Sequence, residues 1–121
     1  MRVRFNGVTS SDYWFYSIKL TDTTVSGGQA TLQTAMRFGD LTANGTNNYR
    51  NLFGEFWVYE YNIAHNPTIT GTMTAANNAN NQHFATFRGL LDSQQAITSI
   101  TLFDNGGNNF TGGTFYLYGV A

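Results

Sequence analysis

Three observations predict an all-β fold, an antiparallel two-sheet β-sandwich of about eight strands and jelly-roll-like character. Short β-rich runs recur along the chain. Clusters of Asn, Gly, Asp and Thr separate them. No stretch holds the three-to-four-residue apolar spacing of a convincing helix. With 121 residues, one domain over 1–121 is expected, large enough to bury roughly two-thirds of its unfolded surface.

Arg2 to Phe5 is a short alternating strand, closed by the turn dipeptide Asn6-Gly7. Tyr13 to Leu20 alternates aromatic and aliphatic residues and forms a second strand. Asp22 to Gly28 reads as a loop, and Ala30 to Phe38 as strand or short helix. Leu32, Met36 and Phe38 fit period two there, and the threonine-rich context favours strand. Leu41 to Asn51 is a polar loop containing Asn44-Gly45 and Asn47-Asn48.

Gly54 to Asn62 reads as a central strand, with Phe56 and Val58 on one face and Trp57, Tyr59 and Tyr61 on the other. Both faces are bulky, as expected when one meets a core and the other a neighbour. Pro67 falls in the loop that follows, where it breaks no ladder. Thr68 to Thr74 is a threonine-alternating strand, Ala75 to Asn81 a loop, His83 to Leu90 a strand and Asp92 to Gln95 a connection. The chain closes on a predicted hairpin: Ala96 to Phe103, a turn over Asp104 to Asn109, then a strand from Phe110 to Gly119.

Charged residues are only 11% of the chain, against the quarter usual in soluble domains. Polarity comes from Thr, Asn, Ser, Gln and Gly, which suits packing against protein copies or sugars. The net charge is −1, and Arg2, Arg4, Lys19, Arg37, Arg50 and Arg88 are scattered singly. A phosphate-binding surface needs such cations clustered, so no nucleic-acid partner is expected. Cysteine is absent, which removes disulfides and thiolate metal sites. No cationic-then-apolar leader precedes the first strand, and no apolar run reaches the roughly 20 residues of a membrane span. Synthesis in a cytoplasm, without membrane association, is the expectation.

The acids are Asp12, Asp22, Asp40, Glu55, Glu60, Asp92 and Asp104. Glycoside hydrolysis needs two carboxyls facing one cleft, roughly 5–10 Å apart. Glu55 and Glu60 lie five apart on one predicted strand, an odd separation that sends them to opposite faces. His65 falls in a loop and His83 opens a strand; neither accompanies a nucleophile-elbow spacing. Asp104 to Asn109 is a hairpin turn without the closing glutamate or flanking helices of a calcium loop. No catalytic residue, metal or cofactor is expected. Trp14, Trp57, Tyr13, Tyr16, Tyr59, Tyr61, Tyr116 and Tyr118 remain as a possible stacking platform. The candidate subunit-contact or glycan-stacking residues are Trp57, Tyr59, Tyr61, Tyr116 and Tyr118.

Several runs share a wording. Val3-Arg4-Phe5-Asn6-Gly7 with Ser11-Asp12-Tyr13 opens the chain. Gly54 to Tyr61 runs through its middle. Ala96-Ile97-Thr98-Ser99-Ile100 and Phe115-Tyr116-Leu117-Tyr118-Gly119 close it. Together they resemble the small β-sandwich domains of bacteriophage virion structural proteins, whose opening reads "lRFNgD…Y" and whose closing hairpin reads "ITSI…F…GS…LYG". The match covers about half the chain and departs from the pattern at Val8, where an acid is usual, and at Gly112-Gly113-Thr114, where Gly-Ser is commoner.

The resemblance implies a virion location on the outer surface and a structural rather than catalytic role. No coiled-coil or collagen-like shaft precedes the domain, which favours a capsid decoration (cement) protein over a fibre tip. Such a protein would bind the major capsid protein as a homotrimer and bridge capsomer joints. The competing expectation is a tail or head-fibre adhesin that stacks a host-surface glycan on Trp57, Tyr59 or Tyr61.

Overall fold

Strand alternation sorts the chain into two antiparallel sheets in the computed structural model, which describes residues 1–37, 50–63, 65–76, 82–103 and 113–119. The strands are β1 (Arg2–Phe5), β2 (Tyr13–Thr21), β3 (Thr24–Gln33), β4 (Met36–Arg37), β5 (Arg50–Tyr59), β6 (Thr68–Ala76), β7 (Gln82–Leu91) and β8 (Ile100–Phe103). One sheet has the order β4-β1-β8 and the other β3-β2-β7-β6-β5. β1 pairs with β8 and β2 with β7, so each sheet of the sandwich joins segments far apart in the chain. Hairpins β2–β3, β5–β6 and β6–β7 complete the larger sheet.

The core lies between the layers. Val3 and Phe5 on β1 and Met36 on β4 face Tyr13, Phe15, Ile69, Met73, Phe87 and Leu91 from the five-stranded sheet, all buried. Each such side chain contributes about 1.5–3 kcal/mol of burial.

Tyr13 ties the layers together. It is fully buried, and its hydroxyl accepts the Phe5 N–H at 2.9 Å while its proton is shared between the Phe5 and Val8 carbonyls at 3.2 Å. Burial raises this phenol above its ordinary 10.0, against the opposing backbone bond from Phe5. At the far end of β2, Thr21 Oγ1 lies 3.0 Å from Nδ1 of buried His83. Burial first, and the charge of Lys19 second, lower His83 below its ordinary 6.5.

Stability should therefore fall at both ends of the pH scale. The tyrosine contribution is complete below pH 10 and is lost as pH rises through the raised folded value. The histidine contribution is complete above pH 6.5 and is lost as pH falls through the lowered one. Denaturant titrations across pH check this, with Tyr13→Phe as the control. That variant should lose the alkaline limb while costing about 1–3 kcal/mol at neutral pH, because the buried Phe5 N–H loses its acceptor.

Four sequence expectations change. The segment Asp22 to Gly28, expected as a loop, is mostly strand: β3 begins at Thr24 after a two-residue turn. Asp22 takes φ +52° there, which aspartate tolerates, and its carboxylate accepts the Gln82 N–H at 3.1 Å. The 30–38 run divides between β3 and β4, with Phe38 outside the described residues. The strand at 54–62, expected at the centre, is the edge strand β5 and stops at Tyr59; Glu60 leaves it at φ +58°. The closing hairpin is not seen among the described residues, and 110–112 of its second strand lie outside them. β8 pairs with β1, and 113–119 belongs to no strand. The predicted turn at 104–109 and most of the 41–51 loop lie outside the described residues.

Candidate functional site

In a strand, alternate side chains point to opposite faces, so the buried set of each strand fixes what the other face carries. On β2 the buried residues are Tyr13 and Phe15, which leaves Trp14, Tyr16, Ile18 and Leu20 on the outer face. On β7 the buried set His83, Ala85, Phe87, Gly89 and Leu91 leaves Phe84, Thr86 and Arg88 outside. On β6 the outer set is the threonine stripe Thr68, Thr70, Thr72 and Thr74. On β5 it is Phe53, Glu55, Trp57 and Tyr59.

Register lines these residues into rows across the sheet. Tyr16 stands opposite Arg88, Arg88 opposite Thr70, and Thr70 opposite Trp57. Two residues along, Ile18, Thr86, Thr72 and Glu55 form the next row, and Leu20, Phe84, Thr74 and Phe53 the one after. The result is a broad face whose large side chains are well exposed, from Leu20 at 38% to Phe53 at 77%. Among the residues of these four strands whose side chains are described, Arg88 and Glu55 are the charges on this face, and no ion pair of Arg88 is seen among them. From strand spacing the face measures roughly 20 Å by 20 Å. Near one corner an open depression of about 330 Å³ is lined by Tyr59, Thr68, Ile69, Thr70 and Arg88.

The five sequence candidates separate. Trp57 and Tyr59 lie on this face, on its edge strand. Tyr61 lies beyond the end of β5, exposed, and its carbonyl accepts the Ile97 N–H at 2.6 Å. Tyr116 and Tyr118 lie in the exposed segment 113–119, their rings stacked with centroids 6.3 Å apart. The sequence reading included Trp14 and Tyr16 among its aromatics but missed Ile18 and Leu20. Their alternation with Ser17, Lys19 and Thr21 reads as a core-facing pair.

The runs behind the family resemblance also meet. Asn6, at φ +52°, donates its carboxamide N–H groups to Gln95 Oε1 at 3.0 Å and the Ala96 carbonyl at 2.8 Å. Its Oδ1 accepts the Thr98 N–H at 2.7 Å, the Thr98 hydroxyl at 3.1 Å and the Ser99 N–H at 3.1 Å. One side chain thus clamps the approach to β8 onto the turn after β1. Asn6, Ala96, Thr98 and Ser99 thus hold the fold, whereas the 54–61 run places Glu55, Trp57 and Tyr59 on the outer sheet face.

The ionisable groups form no comparable constellation. His65 Nδ1 lies 3.8 Å from Glu60 at an exposed site, and no group of three or more metal-ligating side chains occurs among the described residues. No helix of the described residues is long and apolar enough to cross a membrane. Comparison with protein-family profiles, characterised proteins and solved structures finds no match to this chain.

Proposed function

We propose that this chain is a bacteriophage virion structural protein, a capsid decoration protein that docks flat on the major capsid protein and reinforces the joints it spans. The observation that carries this reading is the outer face of the five-stranded sheet. It displays Trp14, Tyr16, Ile18, Leu20, Phe84, Phe53, Trp57 and Tyr59 to solvent, with Arg88 and Glu55 as the charges among the side chains described there. A face of roughly 400 Å², its threonine stripe included, falls within the range of the largest patches on monomers and is about half of one partner's share in a stable complex. Its breadth suits protein better than a single sugar. Aromatic anchors and low charge are the composition of interface centres. The phage assignment comes from the motif resemblance; the sheet face supplies the means of attachment.

A second reading, a glycan-binding adhesin, is favoured by the depression beside Tyr59. There an aromatic ring, two threonines and Arg88 converge within reach of one sugar.

Sedimentation of the purified chain with empty capsids of the encoding virus tests the first reading. Binding is expected, and the capsids should withstand more heat. Trp57→Ala should weaken binding about thirty-fold, the effect of losing an aromatic anchor. Ile18→Lys separates the two readings. It charges the broad face on β2, three strands across and four residues along from Tyr59, about 20 Å away. Capsid binding should collapse in that variant, whereas a glycan held at Tyr59 would survive it. Failure to bind capsids, with sugar binding lost in Tyr59→Ala, would overturn decoration in favour of adhesion.

A further inference from the structure

Flat docking takes the groups on the outer sheet face out of water, and charges suffer most by that transfer. Arg88 cannot escape it. The residue stands on β7, the middle strand of the order β3-β2-β7-β6-β5, with its side chain exposed on the outer face. Tyr16 flanks it on one side, and Thr70 and then Trp57 on the other. Tyrosine, tryptophan and arginine are the residue types that carry most of the energy at protein interfaces. Here all three share one row across the sheet.

Among the described residues no carboxylate is seen within ion-pair distance of this cation. Tyr59, Thr68, Ile69 and Thr70 line the depression of about 330 Å³ together with it, and none of them is acidic. Glu55 lies two strands across and two residues along, about 12 Å away, beyond a Debye length in physiological salt. In the free chain, water solvates the guanidinium and no partner is needed. Beneath a docked protein one is needed, because a buried unpaired charge costs far more than an exposed salt bridge gains.

We infer that the surface this face docks on carries an aspartate or glutamate that enters the depression and pairs with Arg88. This partner chemistry rests on the decoration reading and names what the capsid side must supply. The planar guanidinium accepts such a group well, through two parallel N–H···O bonds to one carboxylate. Register puts Tyr59 on the β5 side of the depression and Arg88 on the β7 side, with Thr68 and Thr70 of β6 between them. An inserted cation would be repelled there, and an apolar side chain would leave the guanidinium buried without a counter-charge.

Sedimentation with empty capsids of the encoding virus tests this through the sign of one effect. Arg88→Met keeps a long side chain and removes its charge. With a carboxylate in the depression, the variant strands a buried anion, and binding should weaken at least about ten-fold. Without one, it removes an uncompensated burial, and binding should tighten. Glu55→Gln, on the edge strand, should change affinity less than about five-fold, the span of an exposed charge. Arg88→Lys locates the partner group. A carbodiimide that activates capsid carboxylates should join the new amine to an Asp or Glu, identified by mass spectrometry of the peptide containing position 88. Thermal unfolding of the variants should match the unmodified chain, since the side chain at 88 is exposed. Capsid binding that is unchanged or tighter in Arg88→Met overturns the inference and leaves decoration standing. Absence of any capsid binding by the unmodified chain removes both. Cross-links from position 88 between copies of the chain, formed without capsids, would give the face to a second copy and overturn the inference as well.

Discussion

Alanine at Asn6 is expected to lower the unfolding free energy by about 3 kcal/mol, a large share of the 5–15 kcal/mol that holds a domain of this size. Two losses combine. Alanine at φ +52° meets the left-handed penalty of about 1–2 kcal/mol. The carboxamide's bonds to Gln95, Ala96, Thr98 and Ser99 also go, each worth about 0.5–1.5 kcal/mol and nearer the lower figure where water reaches. Two further variants divide the effect. Asn6→Gly keeps the backbone at ease and loses only the side-chain bonds. Asn6→Asp keeps the acceptor for Thr98 and Ser99 but turns a carboxylate oxygen against the Ala96 carbonyl. Chemical denaturation should rank both between wild type and Asn6→Ala. Equal stability of all four chains would remove the clamp from the account of the fold.

Gly71→Ala should cost at least about 3 kcal/mol, at the upper end for overpacking. Gly71 sits on the inner face of β6, opposite Phe56 on β5 and Phe87 on β7. A Cβ there would overlap the Glu55 carbonyl oxygen and lie 2.7 Å from Phe87 Cζ and 2.8 Å from Phe56 Cα. Two of those atoms are backbone, so relief requires β5 to move away from β6. Because β5 is the edge strand, the variant should also disturb Trp57 and Tyr59 and weaken any binding through the outer face. Gly28→Ala is the control: a Cβ there meets nothing within 4 Å, and its effect should stay within about 1 kcal/mol. Thermal and denaturant unfolding of the two variants should differ accordingly.

The positions of β1, β2, β6 and β7 were legible because each is a run of period-two residues between turn signals. β3 was not. Its Ser26-Gly27-Gly28 reads as a loop, and its turn uses aspartate at positive φ in place of glycine. Gly27 and Gly28 pair with Ile18 and Ser17 on an exposed edge, where a strand needs few side chains to pack. The closing hairpin is another case. Local pattern identifies a segment able to pair, but not its partner: β8 pairs with the distant β1, and the described part of the last run, 113–119, joins no strand.

Composition and alternation alone determined that this chain forms an all-β double layer with a weakly charged, aromatic surface. They also marked Trp57 and Tyr59 as sharing one face. Tertiary structure decided which face of β2 is the core. Tyr13 and Phe15 differ in parity from Ile18 and Leu20, so a continuous strand cannot bury both sets. The buried Tyr13 hydroxyl, bonded to Phe5 and Val8, sets the phase. Ser17, Lys19 and Thr21 then turn inward, half-buried, and Ile18 and Leu20 are left on the surface. No local reading of Ser-Ile-Lys-Leu-Thr reaches that result, because the bond that decides it comes from a different strand.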